Sequence, residues 1–258
     1  MNEPSPDDLL KAVLEISESA AAIPMRYFRS GVAVEDKPDE SPVTIADKET
    51  EEHIRRAILE RFPSHGIFGE EFGRQETDSS FTWIVDPIDG TRSFISGMPL
   101  FGMLLGVLRD GRAEAGIIRM PALGEYFAGA RGGGATWNAR PIRCRAAPPL
   151  AKASIIINEA ERILMDDPEK LKRLKNAGRL VRFANDCYAF GLLAAGQIDV
   201  VLDFDLQPYD YMPVVPVIEA AGGTITDWSG RSLGLDSDGS VLATGGGQIH
   251  REMLKLLT

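Results

Sequence analysis

Apolar residues recur at helical spacing near the start of the chain, where Leu9, Leu10, Val13, Leu14, Ile16 and Ala20 share one face. Ser5-Pro6-Asp7-Asp8 precedes them. An N-cap residue, a proline and two acids suited to the positive end of a helix dipole predict that the helix starts there. Glu35 to Ser41 is polar, contains Pro38, and reads as a loop. A second helix is predicted from about Thr44 to Arg61, with Ile45, Ile54, Ala57 and Ile58 as its buried stripe and Phe62-Pro63 as its stop.

From Phe81 the pattern is that of strands. Phe81 to Val85 is a short apolar run that ends at Asp86. Phe101 to Leu108 and Ala113 to Met120 flank Asp110-Gly111, a hairpin signal. Glu125 to Ala130 continues the sheet, and Arg131-Gly132-Gly133-Gly134 turns it. Pro148-Pro149 marks a boundary between an N-terminal α+β subdomain (1–150) and a C-terminal α/β subdomain (151–258). Beyond it, strands are predicted at Ser154 to Ile157, Ile198 to Phe204, Thr224 to Asp227 and Val241 to Ala243. Helices are predicted at Asp167 to Asn176, Asp186 to Ala195, Tyr209 to Ala221 and Gln248 to Leu257. Pro213 and Pro216 must shorten or kink the third of these, and Gly222-Gly223 closes it. Strands and helices alternate without a repeat period, which describes a layered α/β architecture.

The chain of 258 residues fits one large domain or two tightly joined subdomains. Apolar residues make up 44 % and charged residues 26 %, ordinary values for a soluble protein. The net charge of −10 argues against a nonspecific grip on nucleic acid or an anionic membrane. A bound phosphate would need neutralising by something other than a basic surface. Two cysteines, Cys144 and Cys187, build neither a disulfide framework nor a four-thiolate zinc site, and read as reduced thiols of a cytoplasmic protein. No signal peptide opens the sequence, and no run approaches the ~18 apolar residues of a membrane span. His53, His65 and His250 have spacings that suit neither zinc nor phosphohistidine chemistry.

The candidate chemistry centres on Trp83-Ile84-Val85-Asp86-Pro87-Ile88-Asp89-Gly90-Thr91. An apolar strand ends on an acid, a proline turns the chain, a second acid follows, and Gly-Thr opens a helix. Asp86 and Asp89 can then share one space, with the Ile88 carbonyl turned outward and the Gly90 and Thr91 amides unpaired. Carboxylates plus a carbonyl suit a hard divalent cation, and amides at a helix start suit phosphate. A surface turn is the plain alternative, since Asp-Pro and Asp-Gly are common turn pairs. Gly69-Glu70-Glu71 sits at the end of the apolar pair Ile67-Phe68. Thr44-x-x-Asp47 has capping-box spacing, and Asp210 opens an apolar helix as a dipole partner.

Taken together, Ser41-Pro42-Val43-Thr44-x-x-Asp47, Gly69-Glu70-Glu71, the Trp83–Thr91 segment, and Asp210 before Glu219-Ala220-Ala221-Gly222-Gly223 resemble the inositol monophosphatase family of Mg²⁺-dependent, lithium-sensitive phosphatases. The resemblance implies an αβαβα sandwich of the sugar-phosphatase type, a homodimer, and two to three Mg²⁺ ions. It implies one metal on Glu70, Asp86 and the Ile88 carbonyl, and a second among Asp86, Asp89 and Asp210, with Glu70 helping a third. Gly90 and Thr91 would hold phosphate, with Ile88, Asp89 and Asp210 at the same substrate site. Asp47 would hydrogen-bond Thr91, and Thr91 with Glu70 would position the attacking water. Metals would supply the positive charge that this acidic chain lacks.

Two stretches depart from inositol-type members. Ser93 stands where they carry Asn, and the segment from Arg182 reads Asn185-Asp186-Cys187-Tyr188 where they carry Gly-Ser/Thr-Ala. Asp203 falls where the family places an acid that meets a substrate hydroxyl. These departures, with Pro208-Tyr209-Asp210 and Pro213-Val214-Val215-Pro216, resemble the histidinol-phosphate phosphatase branch. Asp186 and Asp203 would complement the ammonium and imidazole of histidinol, and Arg182 completes the substrate residues. The plain alternative for Asp186 is an N-cap to the helix that follows. Inositol 1-phosphate is the competing substrate, and a non-catalytic protein-binding regulator on the same fold is the competing class. Asp203-Phe204-Asp205 resembles the aspartate-nucleophile motif of haloacid-dehalogenase phosphatases but has Gln207 where that motif needs Thr or Val.

Overall fold

The computed structural model describes residues 3–36 and 42–257. The chain runs through α1 (Pro6–Ala20), α2 (Ala22–Tyr27), β1 (Val34–Asp36), β2 (Pro42–Thr44), α3 (Ile45–Arg61), β3 (Gly66–Gly69) and β4 (Gly73–Gln75). Next come β5 (Phe81–Asp89), α4 (Thr91–Ile95), β6 (Gly102–Arg109), β7 (Arg112–Met120), β8 (Glu125–Ala130), β9 (Ala135–Trp137) and β10 (Arg140–Ile142). The rest comprises β11 (Ser154–Ile157), α5 (Ala160–Asp166), α6 (Pro168–Lys175), β12 (Leu180–Phe183), α7 (Tyr188–Ala194) and β13 (Val200–Asp203), followed by α8 (Pro208–Tyr211), α9 (Val215–Ala220), β14 (Thr224–Thr226), β15 (Val241–Thr244) and α10 (Gly247–Leu257).

Both N-terminal helices start where their caps put them. Ser5 and Asp8 exchange side-chain and backbone hydrogen bonds at the head of α1, and Thr44 and Asp47 do the same for α3. The predicted stripe of α3 needs one correction: Ile45 is 47 % exposed, because the buried face runs through Ala46, Asp47, Thr50, Glu51, Ile54 and Ile58. That face therefore carries two acids into the interior.

Eight strands form one sheet in the order β10-β9-β8-β7-β6-β5-β3-β4, and five form another in the order β12-β11-β13-β15-β14. Helices α1 and α3 cover the outer face of the first sheet, where Trp83, Val85, Met103, Leu105 and Ile117 pack against Leu9, Val13, Ile54 and Ile58. The other face, with Ile84, Leu104 and Ile118, packs on Phe190, Leu193, Val217 and Ile218 of α7 and α9. Ile156 and Val201 of the second sheet join that same core, while Ile155, Ile157, Val200 and Leu202 turn outward to Leu174 of α6 and Ile249 and Met253 of α10. The period-2 alternation of β5, β11 and β13 thus places each sheet between two helical layers, giving an αβαβα sandwich.

A row of glycines sets the spacing of the middle layer. Gly106, Gly116 and Gly129 are register partners across β6, β7 and β8. A Cβ on Gly116 would lie 2.0 Å from the Pro213 carbonyl oxygen, and one on Gly129 would lie 2.7 Å from that of Pro216. The missing side chains let the chain after Asp210 rest directly on the sheet.

Several expectations change. The strand predicted to stop at Asp86 continues to Asp89. The helix predicted from Tyr209 to Ala221 is two short helices, α8 and α9, each opening with a proline in its first turn, as the ring's fixed φ and missing N–H favour. The helix predicted from Asp186 starts at Tyr188, and Asp186 sits in a left-handed bend at φ 47°, so it is not that helix's N-cap. Glu35 and Asp36 belong to β1 and pair with β2, while residues 37–41, with Pro38 and Ser41, lie outside the described residues. The short elements α2, β4, β9, β10, β12 and α5 carry too few residues for a period to show. No helix among the described residues is long and apolar enough to cross a membrane.

Candidate active site

Residues three apart on a regular strand face opposite ways, yet Asp86 and Asp89 share one space. The β5 register explains it: Asp86 pairs with Leu104 and Asp89 with Gly102, so one extra residue bulges out of β5 between them. Pro87 sits inside the bulge, where its missing N–H costs no ladder bond. The Asp86 carboxylate turns back to accept from the Ile88 amide at 3.0 Å. Asp210 reaches the same space from α8, held by the Gln207 amide at 2.7 Å from its Oδ2.

The three carboxylates converge with oxygens within 4.8 Å of one another. Burial, then the charges of Glu70 and Asp89, push Asp86 far above the ordinary carboxylate range. Burial and Asp89 raise Asp210 in the same way. Asp89 rises to about 7, through burial first and Asp186 second, against the Cys187 amide that donates to its Oδ2 at 2.8 Å. Among the described residues, no Lys, Arg or His forms an ion pair with Asp86, Asp89 or Asp210. Crowded oxygen donors with no internal cation fit a hard divalent metal. Asp47, on the buried face of α3, also carries an orphaned atom: its Oδ2 accepts from the Thr44 amide and hydroxyl, but its buried Oδ1 has no partner.

One expected contact takes a different form. The Thr91 hydroxyl donates to the Ile88 carbonyl at 3.1 Å and Thr44 bonds only Asp47 Oδ2, so the Asp47–Thr91 hydrogen bond is not formed here. Glu70 begins the turn after β3, its amide on the Val85 carbonyl at 3.1 Å, close enough to Asp86 to raise it. Gly90 precedes α4 in a left-handed conformation at φ 79°. A Cβ there would also meet Asp186 Cγ at 2.9 Å.

Asp186 and Asp203 flank this loop. The Ser93 hydroxyl donates to Asp186 Oδ2 at 2.5 Å. Asn158 ties the two acids together: its side-chain amide donates to Asp203 Oδ2 at 2.7 Å and to the Asp186 carbonyl at 3.1 Å, and its oxygen accepts from the Asn185 amide at 3.0 Å. Burial raises both carboxyls, Asp203 well above the usual range even with its Asn158 bond. Glu159, half-buried beside them, is also raised by burial against the pull of Arg92. Arg182 is not brought into this group. It is exposed on β12, an edge strand, and makes no hydrogen bond or ion pair with these acids among the described residues.

Asn158, Glu159 and Glu51 were not singled out in the sequence. Glu51 carried a usable signal, since it lies one turn after Asp47 on the same helix face. Asn158 had a weaker one, a polar residue directly after the buried run Ile155–Ile157.

The five-layer αβαβα sandwich with its carboxylate cluster is that of a phosphoric monoester hydrolase, the class of the family and relatives that the chain matches. The chain belongs to the inositol monophosphatase family, whose model it matches over residues 5–258. It is 39 % identical over 237 residues to a histidinol-phosphatase from Chlorobaculum parvum, covering 91 % of each chain. It is 37 % identical over 251 residues to the bifunctional phosphatase IMPL2, chloroplastic, of Arabidopsis thaliana, covering 94 % of this chain and 72 % of the relative. The structure of an inositol monophosphatase from Zymomonas mobilis superposes with a TM-score of 0.89 at 32 % identity, covering 99 % of both chains. These relatives share the fold and phosphatase class and divide over the substrate.

Proposed function

We propose that this chain is a Mg²⁺-dependent phosphomonoesterase acting on L-histidinol phosphate, releasing histidinol and inorganic phosphate. The observation that carries the substrate is the Ser93–Asp186 hydrogen bond, because the two positions that depart from the inositol-type pattern meet each other at the edge of the phosphate loop. With Asp203 joined to them through Asn158, they make an anionic wall that favours an ammonium and an imidazole over a neutral polyol.

Glu70, Asp86, the Ile88 carbonyl, Asp89 and Asp210 are the groups that would hold the cations. Bound divalent ions supply positive charge and acidify water at neutral pH. The Gly90 and Thr91 amides grip the phosphate oxygens and set the phosphorus in line. Glu70 and the Thr91 hydroxyl orient the attacking water, and Glu70 draws off its proton. As the water oxygen bonds to phosphorus, the ester P–O bond breaks, the alcohol oxygen leaves with the bonding pair and takes a proton from solvent water, and Glu70 returns its own proton to the solvent. Asp47 caps α3, whose first turn packs through Ala46 on Ile88 and Phe94 beside this loop.

Phosphate release from histidinol phosphate and from inositol 1-phosphate, each with Mg²⁺ and with EDTA, tests the reading. A metal-dependent preference for histidinol phosphate supports it. Preference for inositol 1-phosphate would keep the metal assignment and overturn the roles of Asp186 and Asp203. No release from either, with an Asp86→Asn variant still performing its biological role, would favour a protein-binding regulator.

A further inference from the structure

Glu70 projects from a tight place: the tip of the β3–β4 hairpin, at the edge of the eight-stranded sheet. Edge hairpins have one neighbouring strand, so a ligand placed on such a tip needs support from outside the ladder. Glu51 provides it. Its side chain is fully buried on α3 and is spent on this turn: Oε2 accepts from the Glu71 amide at 2.6 Å, and Oε1 accepts from the Phe72 amide at 3.2 Å and from Arg55 Nε at 2.7 Å. Arg55 then donates to the Gly73 carbonyl on the far side of the tip. Gly69 makes room for the clamp, since a Cβ there would fall 2.0 Å from Glu51 Oε1.

We infer that Glu51, braced by Arg55, is a positioning residue that holds the 70–72 turn so that Glu70 meets the Asp86–Asp89–Asp210 cluster. The inference rests on the reading of Glu70 as a metal ligand. A buried anion is electrostatically costly, and Glu51 meets that cost with Arg55 and two backbone amides where a neutral side chain would need no cation. A charged acceptor gives shorter, stronger bonds to the amides, and this is the quality that a ligand-bearing turn requires. Residues that orient metal ligands have a recognisable effect when replaced, a loss of roughly 10–100-fold in metal affinity.

The test is Mn²⁺ binding, followed by EPR or calorimetry, on the wild-type protein, Glu51→Gln, Arg55→Met, Arg55→Lys and the exposed neighbour Glu52→Gln. Glu51→Gln is expected to weaken Mn²⁺ binding about 10-fold or more and to lower kcat, with KM for the phosphate ester little changed. Arg55→Met should do the same to a smaller degree, Arg55→Lys should recover part of the loss, and Glu52→Gln should match wild type. Wild-type Mn²⁺ affinity in a folded Glu51→Gln protein overturns the inference, even if its melting temperature falls. If Glu51→Gln does not fold, Arg55→Met decides by the same measurement, and failure of both to fold would assign the pair to folding alone. A wild-type protein that takes up no Mn²⁺ would instead count against the metal reading on which the inference stands.

Discussion

The Ser93 hydroxyl donates to Asp186 Oδ2 at 2.5 Å, joining the first turn of α4 to the left-handed bend before α7. The same bend sends the Cys187 amide to Asp89 at 2.8 Å, so a candidate specificity residue and a candidate metal ligand are one peptide apart in their attachment. Asp186→Asn keeps the shape and removes the charge. We expect kcat/KM for histidinol phosphate to fall roughly 10-fold or more, the size of one charge-assisted hydrogen bond, with inositol 1-phosphate hydrolysis little changed. Steady-state kinetics on both esters checks this, and an equal loss on both would mean that Asp186 acts on the phosphate loop alone.

Thr91→Val is nearly isosteric and deletes only the hydroxyl that now donates to the Ile88 carbonyl. The carboxylate cluster is untouched, so Mg²⁺ should still raise the melting temperature as in wild type. Turnover should drop about 100-fold if the hydroxyl orients the attacking water. Wild-type kcat in this variant would remove Thr91 from that role.

Local signals in the sequence were sufficient for α1, α3 and the β6–β7 hairpin, because a capping box or an Asp-Gly turn acts over a few residues. The Asp86–Asp89 pair was legible for the same reason, since Pro87 forces a break in the strand within the motif. Other parts depend on partners distant in sequence. Asn158 looks like any polar residue after a strand until Asp203 and Asp186 fold against it. The break between α8 and α9 was signalled by Pro213 and Pro216, but the row Gly106–Gly116–Gly129 that receives this segment lies on three strands about 100 residues earlier. Arg182 depends on what lies beyond its own strand: its place in a motif suggests a substrate contact, and on edge strand β12 it is exposed and apart from the Asp186–Asn158–Asp203 group.

Mg²⁺ should stabilise the fold by linkage, since cations bind the converged acids of the native state and not the unfolded chain. At a Mg²⁺ concentration 100 times its Kd the gain is about 2.7 kcal/mol, which at this size raises Tm by about 5–10 °C. Thermal unfolding in EDTA and in Mg²⁺ measures it, and Asp86→Asn should lose most of the shift. A Tm that ignores Mg²⁺ would speak against the metal cluster.

His250 gives the fold an acid-sensitive point away from the site. It is 4 % exposed, and its ring nitrogens meet the hydroxyls of Thr226 at 2.9 Å and Thr244 at 3.0 Å. Both hydroxyls also donate to backbone carbonyls, Thr226 to Asp227 at 2.7 Å and Thr244 to Gly246 at 3.2 Å, so the ring is enclosed by groups tied to the backbone. Burial pushes the His250 pKa down from 6.5 to about 4. The unfolded chain then binds the extra proton first, so stability is held above pH ~6.5 and lost as pH falls towards 4, at most about 2 kcal/mol by pH 5. Chemical denaturation at pH 7.5 and pH 5 should show this loss in wild type and a smaller one in His250→Gln. Equal losses in both would mean that other groups set the acid limb.

Gly116→Ala tests whether the glycine row places Asp210. The new methyl would lie 2.0 Å from the Pro213 carbonyl oxygen, a backbone atom that can yield only by lifting the chain off β7. Overpacking of this kind costs about 1–3 kcal/mol, so the variant should fold with a lower Tm. Pro213 follows Asp210 closely in the chain, so the displacement reaches the carboxylate cluster, and the Mg²⁺-induced rise in Tm should shrink beyond what the lost stability explains. Gly134→Ala is the control, since a Cβ at Gly134 meets nothing within 4 Å. If Gly116→Ala loses stability but keeps the full Mg²⁺ response, the row serves packing and Asp210 is placed by its own Gln207 cap.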